Sequence, residues 1–208
     1  MPSPLAINFL NMSGNSEFIA ARSMLAILDS PSMIAKTDER LFEGLLAHCL
    51  TILPGLESSL SLPTSTEGST YSLGRSGYPD VVRFSNSGHY EVGIELKLRS
   101  AHNLQHRKSE LPRWQLDGYA ENAQDTTALF ILAPASKRLS LQREFAAYGP
   151  DEQLESIDRW SFIDLAALRE AIVEILADRA NEGSEAADLV LTLARLNAPL
   201  RCASAPQR

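Results

Sequence analysis

YPDVVRFSNSGHYEVGIELKLRS, residues 78–100, followed by PRWQLDGYAE at 112–121, decides how this chain is read. Val81–Ser85 and Tyr90–Leu98 are rich in β-branched and aromatic residues and flank Asn86-Ser87-Gly88, which predicts an antiparallel hairpin. With Ser87-Gly88 as a two-residue turn, Asp80 falls opposite Glu95; a three-residue loop with a bulge shifts that register by one. Side chains alternate along a strand, so Asp80, Glu95 and Lys97 share one face and Val81, Val92, Ile94, Leu96 and Leu98 the other. Two carboxylates opposed on one sheet face repel unless something positive lies between them, which points to a metal ion. Gln115 and Tyr119 are four apart on a helix expected from about Pro112 to Asn122, and so share a helix face.

An acid after a proline (Pro79, Asp80), a Glu-x-Lys triplet on the next strand (Glu95, Leu96, Lys97) and a Gln-x-x-x-Tyr pair on a helix together resemble the PD-(D/E)XK nuclease superfamily. The Gln115–Tyr119 tail looks like the RecB-type branch of that superfamily. The resemblance implies a restriction-endonuclease-like α/β fold, a mixed central sheet between helical layers. It also implies a Mg²⁺-dependent nuclease, with Mn²⁺ as a substitute, hydrolysing phosphodiester bonds in DNA in restriction, phage defence or repair. By the same resemblance Asp80 and Glu95 are metal ligands together with the Leu96 carbonyl, and Lys97 is the catalytic base. Gln115 lies near the metal or the scissile phosphate, and Tyr119 contacts nucleic acid or braces its helix. A further acid from an early helix often completes such sites. Glu43 is the first choice and Glu39 the next, while Gly44 and His48 fit the Gly-x-x-x-His alternative. Glu43 and His48 are about 140° apart around a helix and do not share one site. An RNA-cleaving member of the fold, or a module that binds nucleic acid without cutting it, are the rival readings.

Charge distribution bears on the same stretch. The chain carries a formal net charge of −7, yet residues 71–113 hold seven Lys/Arg against four Asp/Glu. An acidic body with a local basic segment is compatible with phosphate binding there. Arg99, Arg107, Lys108 and Arg113 are the candidate phosphate contacts, in a polar segment (99–111) read as a loop. The acidic C-terminal helices offer a scaffold, a homodimer interface or a docking face for a regulatory protein; a nuclease cutting both strands gains from being a dimer.

The 208 residues fit a single domain, with 1–14 and 197–208 expected to be loosely held. No basic-then-apolar leader and no run of about 18 apolar residues is present, so a cytoplasmic protein without a membrane partner is expected. Cys49 and Cys202 have no metal-like spacing, and Cys49 is expected to pack inside a helix. Helical spacing predicts a first helix over about Asn15–Leu28, broken by Ser30-Pro31-Ser32. A second is expected from an N-cap at Thr37 or Asp38 to about Leu50, with Leu41, Phe42, Leu45, Leu46 and Cys49 as its apolar face. Residues 54–77 read as an exposed connection with at most a short strand. Thr127–Ala133 is a continuous apolar run and hence a buried strand. A helix near Leu139–Tyr148, an edge strand around Arg159–Ile163 and helices over about Leu165–Ala180 and Glu185–Leu196 complete the order. Trp114 and Trp160 are expected to pack in the core or between helix and sheet.

Overall fold

The computed structural model describes residues 16–64, 69–98, 104–105, 113–139 and 157–197. Phe18, Ala21, Leu25 and Leu28 recur at helical spacing and build α1 (Ser16–Leu28). Ser30-Pro31-Ser32 ends that helix, but it also starts another. The Ser30 hydroxyl accepts the Met33 N–H and Pro31 sits in the first turn of α2 (Pro31–Lys36), where its missing N–H costs nothing. Asp38 is the N-cap of α3 (Glu39–Ile52), accepting from the Leu41 N–H. The buried stripe of α3 is Phe42, Leu46, Ala47, Cys49 and Leu50. Leu41 is 62% exposed, contrary to expectation, because the buried arc is centred further round the helix and includes Ala47 and Leu50. The Ser-rich connection is more ordered than its composition implies. It holds the short helix α4 (Leu56–Ser59), and Leu56, Leu60 and Leu62 anchor it to the core.

The central sheet has five strands in the order β1 (Tyr71–Leu73), β2 (Val81–Phe84), β3 (Tyr90–Leu96), β6 (Ala128–Ala133) and β7 (Trp160–Asp164). The first two pairings are antiparallel and the last two parallel, so the sheet is mixed. The hairpin loop has three residues: Ser85 N–H bonds the His89 carbonyl at 2.7 Å, and Gly88 takes a left-handed φ of 84°. A bulge then follows, because Phe84 pairs with Tyr90 but Arg83 pairs with Val92, leaving Glu91 over. The two one-residue departures cancel. Val81 pairs with Ile94, which sets Asp80 level with Glu95.

A two-residue strand β4 (Leu104–Gln105) pairs with β5 (Arg113–Trp114) in a separate small ladder. This corrects the reading of 99–111 as a plain loop. It also delays the following helix, since residues committed to β5 cannot be helical: α5 runs Gln115–Glu121 and does not begin at Pro112. Residues 135–139 are helical, ahead of the helix expected near Leu139–Tyr148, most of which lies outside the described residues. Asp164 caps α6 (Leu165–Asn181), and α7 (Glu185–Asn197) packs against it.

Helices lie on both sheet faces. Val81, Val92, Ile94, Leu96, Phe130, Leu132 and Ile163 form the larger core with α1, α3, α6 and α7. Val82, Tyr90, Leu129, Ile131, Ala133 and Trp160 form the smaller one, covered by Leu116, Tyr119 and Ala120 of α5. Arg83, 1% exposed, is held inside by Glu57, by Glu91 at 3.2 Å and by the Pro63 carbonyl at 2.7 Å, over the Tyr71 ring. It ties the 57–63 connection to the hairpin. Cys49 is buried and free. No helix among the described residues is long and apolar enough to cross a membrane. Residues 1–14 and 198–208 lie outside the described residues, as does Cys202.

Candidate functional site

The site gathers on the smaller-core face, where β3 ends. Asp80 reaches it through a tight backbone crossing. Gly74 N–H donates to the Asp80 carbonyl at 2.7 Å. A Cβ at Gly74 would lie 1.7 Å from the Pro79 carbonyl oxygen, so only glycine allows this approach. Gly93, on the site face of β3, is similarly crowded: a Cβ there would meet Pro79 Cγ at 2.8 Å. From this position Asp80 Oδ2 accepts the Leu96 N–H at 2.8 Å. Burial raises the Asp80 pKa, partly offset by that Leu96 N–H and by Lys97.

Glu95 and Lys97 are 1% and 2% exposed, since β3 is the central strand. Lys97 Nζ donates to Glu95 Oε1 at 2.6 Å and to Gln115 Oε1 at 3.3 Å. Glu95 Oε2 is buried with no hydrogen-bond partner. Burial pushes the Glu95 carboxyl up to about 8; Lys97 pulls it down, and Asp80 adds to the rise. Charged groups this deep are costly unless paired; Lys97 serves one Glu95 oxygen, and the Asp80 backbone eases the charge further.

Gln115 opens α5 and links the two elements. Its Nε2 donates to the Tyr119 hydroxyl at 2.6 Å. Lys97 is donor-only and therefore selects the amide oxygen, while Tyr119 takes the amide nitrogen. Tyr119 is 6% exposed, and burial followed by the charge of Glu95 raises its hydroxyl pKa. Two residues that the sequence did not single out hold the far end of this short helix. Tyr90 donates to the Tyr119 carbonyl at 2.6 Å, and Arg159 donates to the Ala120 and Gln124 carbonyls, each at 2.7 Å. No local spacing reveals them, because their partners are 29 to 39 residues away.

Glu43 is 6% exposed on α3 and bonded by Arg40 at 2.8 Å. Its pKa is raised by burial first and by Asp80 next, which places it within electrostatic reach of the site. Glu39 also acts on Asp80, and its Oε1 is buried without a partner. His48 is exposed. Among the described residues no group of three His, Cys, Asp or Glu side chains is arranged to hold a metal ion. The hard-oxygen donors at the centre are Asp80 and Glu95. Leu96 presents its backbone between them and turns its side chain into the larger core. Arg99, Arg107 and Lys108 lie outside the described residues, and Arg113 is described only as part of the β5 backbone. Trp160 is buried in the smaller core with its indole N–H unpartnered.

No family model matches the chain, and no curated protein or solved structure matches it.

Proposed function

We propose that the chain is a divalent-cation-dependent nuclease acting on DNA, using Mg²⁺ or Mn²⁺. One observation carries the reading: Glu95 Oε2 is a buried carboxylate oxygen that makes no hydrogen bond of normal geometry, eased only by the nearby Asp80 backbone, on the same sheet face as Asp80 and beside Lys97. Lys97 serves one oxygen of the Glu95 carboxylate only, and two hard-oxygen acids plus the Leu96 carbonyl suit a cation that keeps most of its waters. Bound there, such a cation supplies Lewis-acid stabilisation of phosphate oxygens and lowers the pKa of water.

The chain's own residues have separable tasks. Asp80 and Glu95 hold the charge that the cation neutralises. Lys97, fixed by Glu95 and Gln115, stabilises charge developing on phosphate as an ammonium, and takes the proton of the attacking water only as the neutral amine. Gln115 sets the direction of the Lys97 ammonium. Tyr119, with its hydroxyl taken by Gln115, braces that amide and does not face solvent. The mixed sheet between helical layers is the architecture that the PD-(D/E)XK resemblance implies, and restriction, phage defence or repair are the settings that go with it.

The direct Lys97–Glu95 pair favours a second reading, a nucleic-acid-binding module in which these charges satisfy each other. Incubation with supercoiled, linear and single-stranded DNA and with RNA, in Mg²⁺, Mn²⁺ or EDTA, separates the two. Metal-dependent cleavage supports the nuclease and shows whether DNA or RNA is cut. Tight binding in EDTA with no cleavage under any condition supports the module.

A further inference from the structure

A cavity of about 500 Å³ lies beyond the site, at the β7 edge of the sheet, between α4, the start of α6 and the helical turn after β6. Its wall includes Arg138, Phe162, Phe130, Ser161, Ser61 and Asp164. Arg138 is exposed, and its guanidinium lies over the Phe162 ring at 5.4 Å from the centroid. Among the described residues no carboxylate pairs with it. Asp164, the acid in the wall, has one oxygen committed to the Ala166 N–H as the cap of α6. The cavity therefore offers a cation with free donors, an aromatic ring and serine hydroxyls, at a volume within the ordinary range for small-ligand sites.

Register fixes its distance from the site. Leu96 pairs with Leu132, so Lys97 is level with Ala133, which pairs with Asp164. Two strand spacings of about 4.8 Å separate Lys97 from Asp164, about 10 Å. Side chains at Lys97, Ala133 and Phe162 belong to the same sheet face, whereas Phe130 and Ser161 belong to the other, so the cavity wraps the β7 edge. A single strand covers that distance in about three stacked nucleotides at about 3.4 Å each, and in fewer when extended.

We infer that this cavity binds a phosphorylated nucleoside unit, with the base against the Phe162–Arg138 pair and the phosphate on Arg138 and the serine hydroxyls. The inference rests on the nuclease reading for its preferred source, a nucleotide of the substrate strand two or three positions from the cut. A free nucleotide has the same chemistry and is the other source. An arginine over an aromatic ring is a stacking platform that accepts any base, so the cavity gives grip without sequence preference.

Binding in EDTA tests this without cleavage. Fluorescein-labelled dT2, dT6 and dT12 are titrated by anisotropy, and dTMP by calorimetry, against wild type, Arg138→Gln and Phe162→Leu, with melting curves as the folding control. Arg138→Gln should weaken dT12 binding about threefold or more and reduce the salt slope by about 0.7. Phe162→Leu should weaken it about fivefold or more. Dependence that appears with dT6 and dT12 but not with dT2 or dTMP assigns the cavity to the substrate strand; dependence already present with dTMP assigns it to a free nucleotide. If folded Arg138→Gln and Phe162→Leu bind every probe as wild type does, or if wild type binds none, the inference fails. Arg138-dependent binding by a protein that cuts nothing would instead remove only the nuclease reading.

Discussion

In the absence of divalent cations the folded chain should lose stability between pH 5 and pH 8, with Glu95 as the main cause. The unfolded carboxyl releases its proton near 4.5, whereas in the fold burial holds it to about 8. Between those values the native state keeps a proton that the unfolded state has lost, so stability falls as pH rises through the window and levels off above it. At about 1.36 kcal/mol per pH unit, the loss between pH 5 and pH 8 is about 3 kcal/mol. The raised carboxyls of Asp80 and Glu43 act in the same direction. Glu95→Gln preserves the shape and the acceptor for Lys97 but removes the ionisation. Urea unfolding of both proteins at pH 5, 6, 7 and 8 in EDTA reads the difference. The variant should match wild type within about 1 kcal/mol at pH 5 and exceed it by about 3 kcal/mol at pH 8. Parallel curves, or a wild type that gains on the variant as pH rises, would refute the picture of a buried, half-paired carboxylate.

Three further outcomes follow from particular contacts. Mg²⁺ at pH 8 should raise the melting temperature of wild type by several degrees, by binding the native state alone, and leave Glu95→Gln nearly unmoved; equal shifts in both would place the cation elsewhere. Gly74→Ala forces the Pro79 carbonyl away from a Cβ 1.7 Å off, so urea unfolding should show a loss of about 2 kcal/mol or more, with weaker Mg²⁺ binding because Asp80 moves with it. Arg83→Met should cost about 3 kcal/mol, since Glu57 and Glu91 lose their shared cation, whereas Leu41→Gln should stay within about 0.5 kcal/mol.

Much of the site's geometry was legible because it is local. Alternation along β3 places Glu95 and Lys97 together, and i, i+4 spacing places Gln115 with Tyr119. A two-residue turn predicts the Asp80–Glu95 register; the real three-residue loop and the Glu91 bulge cancel, so the level pairing survives. The start of α3 is readable to within one residue, Thr37 or Asp38, because capping is chemistry of adjacent residues. What depends on distant partners was not readable. Arg83 occupies an inward strand position, but what makes a charge tolerable there is Glu57, 26 residues back. Arg159 and Tyr90 hold α5 through backbone carbonyls, which have no sequence signature. The α4 helix was hidden by serines, although Leu56 and Leu60 already stood at helical spacing.

The most direct test of the central claim is the Mg²⁺-dependent cleavage rate of wild type beside Lys97→Ala and Asp80→Asn, on whichever nucleic acid wild type cuts. Metal-dependent cleavage should fall by about a hundredfold or more in each variant, the scale of general-base or charge-stabilising catalysis, while both variants remain folded. Cleavage that persists at the wild-type rate in either variant, or that proceeds unchanged in EDTA, would contradict that claim.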